Sequence, residues 1–187
     1  MANRKPILGI DMDDVITDTL QRGLDWYERD FGRRHIKSEL NGRYLREVIP
    51  EVHLDRVRNY FYTPGFFRDL EPLPGAVEGV KELQEYFDVF IVTAAQQFPQ
   101  CLTEKNDWLD CFMPFIPWTH RVFCGHKYFL NAKYLIDDHA YNFEFFEGYP
   151  LLFTAPHNMG ESRYERVNDW DEVLEFFSRD LSGVEPA

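Results

Sequence analysis

The 187-residue chain predicts an α/β fold, a doubly wound, Rossmann-like parallel sheet with a small inserted helical cap. Three observations predict it. Short apolar runs, each ending in a polar or small residue, recur along the chain. Segments of helical period lie between them, and such alternation builds a parallel sheet with crossover helices. One stretch, 33–72, breaks the alternation: it has no convincing strand and carries Pro50, Pro64 and Pro72.

In chain order, Pro6 to Ile10 is an apolar run stopped by Asp11, as expected of a strand buried on both faces. Leu20, Leu24, Tyr27 and Phe31 mark one face of a first helix. Residues 33–72 read as the cap, with two helices at about 38–49 and 52–62, so the core domain comprises 1–32 and 73–187. Val77, Val80, Leu83 and Phe87 form the next helical stripe, and Val89 to Thr93 the next strand. Phe98, Cys101, Leu102, Leu109 and Phe112 follow as a helix, then Arg121 to Cys124 as a strand. Lys127 is expected at the start of a short helix, before the strands Tyr134 to Ile136 and Pro150 to Phe153. Trp170, Val173, Leu174 and Phe177 predict a last helix, and the tail from Ser182 to Ala187 is expected to fray.

Composition narrows the function classes. With 44% apolar residues, including 17 Phe, 10 Tyr and 4 Trp, the chain can fill a core. Thirty-two acidic against 20 basic residues give a net charge of -12, the wrong sign for gripping a polymeric nucleic acid through its phosphates. The stretch 33–68 departs from this, with eight Arg and Lys against four Asp and Glu, and a local basic lid over an acidic site would attract a small anion. Cys101, Cys111 and Cys124 are odd in number and form no C-x-x-C pair, so they read as reduced core residues. No apolar stretch approaches the ~20 residues that span a bilayer, and no signal-peptide core follows the N-terminus, which makes the cytoplasm the default compartment.

In a doubly wound sheet ligands bind beyond the carboxyl ends of the strands. Asp11, Asp13, Asp14 and Asp18 crowd the end of the first strand, and Asp137 and Asp138 stand at the end of another. A turn with a helix N-cap would account for either cluster alone. Both strand ends open on the same edge, however, and converging hard oxygen donors with vacant positions suit Mg²⁺. Thr93 places a hydroxyl at a third strand end, and Lys127 adds an ammonium. A hydroxyl, an ammonium and a divalent cation around one point suit a phosphoryl group, whose charge spreads over three equatorial oxygens in the transition state.

Asp11-Met-Asp13, Thr93, Lys127 and Asp137-Asp138 resemble the four motifs of the haloacid dehalogenase-like phosphatase superfamily. More narrowly, the chain is similar to the 5′(3′)-deoxyribonucleotidase family over nearly its whole length. The stretches that carry this likeness are Asp11-Met-Asp-Asp-Val-Ile, Pro64-Gly-Phe-Phe-Arg-Asp-Leu-Glu-Pro-Leu-Pro-Gly-Ala-Val and Leu152-Phe-Thr-Ala-Pro-His157-Asn158. The resemblance implies a Mg²⁺-dependent phosphomonoesterase acting on a small-molecule nucleotide, with Asp11 as nucleophile and Asp13 as general acid and base. It further implies that Thr93 and Lys127 hold the phosphoryl oxygens and that Lys127 pairs with Asp11. The metal would be held by Asp11, the Asp13 carbonyl and Asp138, with Asp137 one shell out.

The chain departs from the family pattern at Thr19, which is aromatic in the most similar members, at Asp14, commonly Gly, and at Ala94. These positions bear on base and sugar, not on reaction class. Phe61 and Tyr44, with Tyr62, are candidates for the substrate pocket, against the alternative that they only pack the two domains together. His157 is expected to make a structural hydrogen bond to a loop, and His120, His126 and His139 receive no role. Two rivals stand beside the nucleotidase reading: a phosphatase of another small metabolite, and a non-catalytic phosphate- or metal-sensing domain.

Overall fold

A computed structural model describes residues 4–182 of the chain. Six parallel strands form one sheet: β1 (Ile7–Ile10), β2 (Asp88–Thr93), β3 (Arg121–Phe123), β4 (Tyr134–Asp137), β5 (Tyr149–Phe153) and β6 (Glu165–Val167). Their order is β3-β2-β1-β4-β5-β6, so the chain starts at the centre and winds outward both ways. The strands are short and apolar because both faces are covered: Leu8, Ile10, Ile91, Leu135, Ile136, Leu151 and Leu152 are almost wholly excluded from water.

The covering helices are α1 (Thr19–Phe31), α5 (Ala76–Leu83), α6 (Pro99–Phe112) and α7 (Trp170–Ser182). α1 opens on Asp18, whose side chain accepts the Gln21 N–H at 3.1 Å, and closes on Gly32 at φ 65, a left-handed cap that suits glycine. α7 packs on α5 through Trp170, whose ring lies so close to Gly79 that an added Cβ would sit 2.5 Å from it. The Trp170 indole N–H donates to Val15 O at 2.8 Å, tying the last helix to the loop after β1.

Between α1 and α5 lie only short helices: α2 (Lys37–Leu40), α3 (Leu45–Val48) and α4 (Leu54–Arg58), with single 3₁₀ turns at Glu51–His53 and Asn59–Tyr62. The single helix expected at about 38–49 is broken, because Asn41 and Gly42 take φ of 42 and 84 and the Gly42 N–H leaves to bond Pro156 O. One strand is added and two further expectations are corrected. β6 had not been anticipated. Lys127 lies in a turn after β3 and not at a helix start. Cys111 is exposed on the solvent face of α6, while Cys101 and Cys124 are buried. The tail expected to fray, 183–187, lies outside the described residues.

Candidate active site

The ladder between β1 and β4 pairs Ile10 with Ile136. One step further, the Asp11 N–H donates to Ile136 O at 2.9 Å, which brings Asp11 beside Asp137 at the rim. The chain then turns back on itself: Ile16 and Thr17 N–H both reach Met12 O at 2.9 Å, with Asp14 at φ 56.

Lys127 is the hub. Its side chain is 1% exposed, and its ammonium lies 2.6 Å from both Asp11 Oδ1 and Asp137 Oδ2. Asp137 is otherwise saturated: it accepts the His139 N–H at 2.8 Å and the Asn142 amide at 2.9 and 3.0 Å. Asp138 is not. Its Oδ1 meets His139 Nδ1 at 2.8 Å, but its buried Oδ2 has no hydrogen bond. Asp11 Oδ1 likewise has no hydrogen-bond partner beyond its ion pair with the Lys127 ammonium at 2.6 Å. The Asp138 carbonyl accepts from Asn158 at 2.7 Å and lies 3.1 Å from His157 Nε2, which is the structural bond expected of His157.

This density of acid shifts the titrations. Burial, with Asp137, Asp138 and Asp13 nearby, raises Asp11 to about 7 despite Lys127. Burial works against the charge of Lys127 too, but its two carboxylates win and push its pKa up. Burial would raise Asp138, yet His139, His157 and Lys127 bring it below the usual carboxylate range. Burial opposes the charge on His139 as well, and Asp138 overrides it to about 9.

Three carboxylates around one ammonium leave negative charge in excess, and oxygens of Asp11, Asp137 and Asp138 all lie within 4.8 Å of one another. Two of these acids keep a buried oxygen without a hydrogen bond. Unsatisfied hard donors of this kind fit a small divalent cation such as Mg²⁺.

Asp13 lines the same cavity but has partners of its own. One oxygen accepts the Thr19 hydroxyl at 2.9 Å, and the other is bound by the ammonium of Lys105 from α6. Lys105 also donates to Thr93 Oγ1 at 2.7 Å, so the Thr93 hydroxyl, 1% exposed, is engaged by a buried lysine. Sequence reasoning missed Lys105, His139 and Asn142. Only Lys105 carried a signal: with Cys101, Glu104, Trp108 and Leu109 it lies on the buried stripe of α6, where an unpaired lysine is costly.

A cavity of about 630 Å³ opens above the rim, lined by Asp11, Asp13, Lys127 and Asp138 below and by Tyr44, Phe61 and Arg46 above. The Tyr44 ring stacks on His157 with centroids 4.7 Å apart, and the Arg46 guanidinium lies 3.9 Å from its face. Phe61 packs against Phe66 and Phe98 at 5.0 and 5.4 Å while keeping an edge on the cavity. Arg43 and Arg58 also line this cavity and add positive charge to it.

The family described as 5′ nucleotidase, deoxy (pyrimidine), cytosolic type C protein matches residues 5–181. The chain belongs to this family. Members of this nucleotidase family are phosphoric monoester hydrolases, and this chain is one by that membership. A Bacillus subtilis (strain 168) protein named 5′(3′)-deoxyribonucleotidase is 34% identical over 171 residues, covering 90% of this chain and 96% of the relative. A Staphylococcus aureus (strain Mu50) protein given the same name provisionally is 45% identical over 173 residues, covering 91% and 94%. Among solved structures, a HAD family hydrolase from Deinococcus radiodurans, crystallised with phosphate and sodium, superposes with a TM-score of 0.64 at 13% identity, covering all of both chains. The HAD hydrolase YfnB from Bacillus subtilis, bound to magnesium, gives 0.57 at 14% identity over 94% of this chain and 100% of YfnB. The sheet is thus the haloacid dehalogenase-like fold expected from the sequence. Among the described residues no helix is long and apolar enough to cross a membrane.

Proposed function

We propose that the protein hydrolyses nucleoside monophosphates, deoxyribonucleotides among them, in a Mg²⁺-dependent reaction through an aspartyl-phosphate on Asp11. What carries the reading is the meeting of Asp11, Lys127 and Asp138 at one sheet rim, with buried oxygens of Asp11 and Asp138 left without hydrogen bonds. In the first step an Asp11 oxygen bonds to phosphorus, the bond from phosphorus to the nucleoside oxygen breaks, and Asp13 supplies a proton to that oxygen. In the second, Asp13 takes a proton from water as its oxygen attacks phosphorus, the Asp11–phosphate bond breaks, and phosphate leaves. Lys127 and Thr93 would steady the phosphoryl oxygens. Asp11, the Asp13 carbonyl and Asp138 would hold the metal, which supplies charge neutralisation for the anionic phosphoryl group.

Asp138 suits direct ligation better than Asp137, because every oxygen of Asp137 is already bonded while Asp138 Oδ2 is not. Residues 33–72 serve in this reading as the cap, with Tyr44 and Phe61 facing the base and the Arg43, Arg46 and Arg58 charges drawing in the anion.

The test is phosphate release from a panel of nucleoside and deoxynucleoside monophosphates with Mg²⁺ and with EDTA, alongside Asp11→Asn. Turnover that needs Mg²⁺ and vanishes in the variant supports the reading. Turnover retained by Asp11→Asn removes Asp11 as nucleophile, and a preference for a non-nucleotide phosphate ester favours the other-metabolite rival.

A further inference from the structure

Asp13 is gripped from two sides by groups that no part of the proposed chemistry requires. The Thr19 hydroxyl donates to Oδ1 at 2.9 Å, and Thr19 is itself held 3.1 Å from Thr17 Oγ1. On Oδ2 sits the Lys105 ammonium, whose side chain is 1% exposed. Lys105 has a third contact: its ammonium lies 5.0 Å from the centre of the Phe67 ring. The residue before it, Glu104, is 3% exposed and accepts the backbone N–H of both Gly65 and Phe67. The buried turn of α6 is therefore fastened to the strap that returns from 33–72, and from that anchorage it reaches Asp13.

An ammonium buried this deeply loses its hydration, and Asp13 is the carboxylate that compensates it. The cost of burial is met only if the carboxylate keeps its place. That constraint fixes which lone pair Asp13 can turn toward the cavity.

Resting on the phosphatase reading above, we propose that Lys105, seconded by Thr19, is the positioning residue that aims Asp13 at the attacking water in the second step. Lys105 does not reach the phosphoryl group in this role. It touches both Asp13 and the Thr93 hydroxyl, and its part in the second step runs through Asp13.

The experiment uses p-nitrophenyl phosphate, whose leaving group departs without protonation, so that kcat/KM reports phosphorylation of Asp11 and kcat reports its hydrolysis. For Lys105→Met the expected result is a kcat lower by about 10- to 100-fold with kcat/KM within about threefold of wild type, at or below the lower end of the ~10²–10⁴-fold that proton-transfer catalysis contributes, because Asp13 itself remains. A rapid, near-stoichiometric burst of nitrophenolate should precede the slow phase. Thr19→Val should show the same pattern more weakly, and Thr19→Ser should restore wild-type behaviour. Lys105→Met with unchanged kcat, or with kcat and kcat/KM falling together and no burst, overturns the proposal. Where Lys105→Met does not fold, the Thr19 pair decides by the same criteria. An inactive wild type would instead overturn the phosphatase reading itself, so the two failures are distinguishable.

Discussion

Replacing Lys127 by Met removes the one ammonium that lies between Asp11 and Asp137, 2.6 Å from each. Methionine matches the stem in volume, so the loss is electrostatic. Breaking a buried ion pair by deleting one partner costs about 3–5 kcal/mol. Two features set the expectation at the lower end. Asp137 keeps its bonds from His139 N–H and Asn142, and Asp11, already raised to about 7, can shed its charge by taking up a proton near neutrality. We expect a loss of about 3 kcal/mol at pH 8 without Mg²⁺, or about 6–12 °C in Tm for a chain of this size. The pH dependence follows from the sign of the shift. A carboxyl raised above its unfolded pKa costs nothing while it is protonated in both states, and its cost grows as pH climbs toward the folded value. The deficit of Lys127→Met relative to wild type should therefore be smaller at pH 5 than at pH 8. Urea unfolding in EDTA followed by circular dichroism measures it. A deficit under about 1 kcal/mol at pH 8 would refute the reasoning, because buried pairs lose more than that when one partner goes.

Other expectations follow from the same geometry. Asp138→Asn should raise the Mg²⁺ concentration needed for half-maximal activity at least ~10-fold, the scale seen when groups around a metal are altered, whereas Asp137→Asn should chiefly lower stability by removing one of the two carboxylates that pair with Lys127; Mg²⁺ titrations and thermal melts separate the two. Asp30 is held well below the usual carboxylate range by Arg29, Arg56 and Tyr60, so Asp30→Asn should cost about 1–2 kcal/mol at pH 7, an effect that exists above the unfolded pKa and fades as pH falls through about 3.8 and below. Gly79→Ala would press a Cβ to within 2.5 Å of the Trp170 ring and should destabilise by about 1–3 kcal/mol, read as a lower Tm with activity per folded molecule retained.

The rim was legible in the sequence because its chemistry interrupts apolar runs. Asp11 and Asp137 each terminate a stretch of buried strand, and a carboxylate in that place needs a cation, a metal or an unusual hydrogen-bond set. The same logic found Lys127 but misjudged its setting: the lysine is fixed by its two carboxylates and not by a helix. Lys105 and Glu104 were hidden because a charged pair inside an amphipathic helix reads as solvent-facing unless the phase of the stripe is followed residue by residue. β6 escaped for a related reason, since Glu165 and Arg166 are both polar and only Val167 is apolar and buried, so no apolar run marks the strand and it is defined by its pairing with β5. The break at Asn41 and Gly42 is a tertiary effect: the Gly42 N–H finds Pro156 O in the turn after β5, a partner no local pattern announces.

Trapping the phosphorylated protein tests the central claim most directly. Enzyme mixed with Mg²⁺ and a phosphate-labelled deoxynucleoside monophosphate is quenched in acid within milliseconds and digested, and the labelled peptide is identified. The account predicts hydroxylamine-labile label on the peptide bearing Asp11, absent from Asp11→Asn. Turnover proceeding with no acid-stable label in any quench, or with label on another residue, would contradict it.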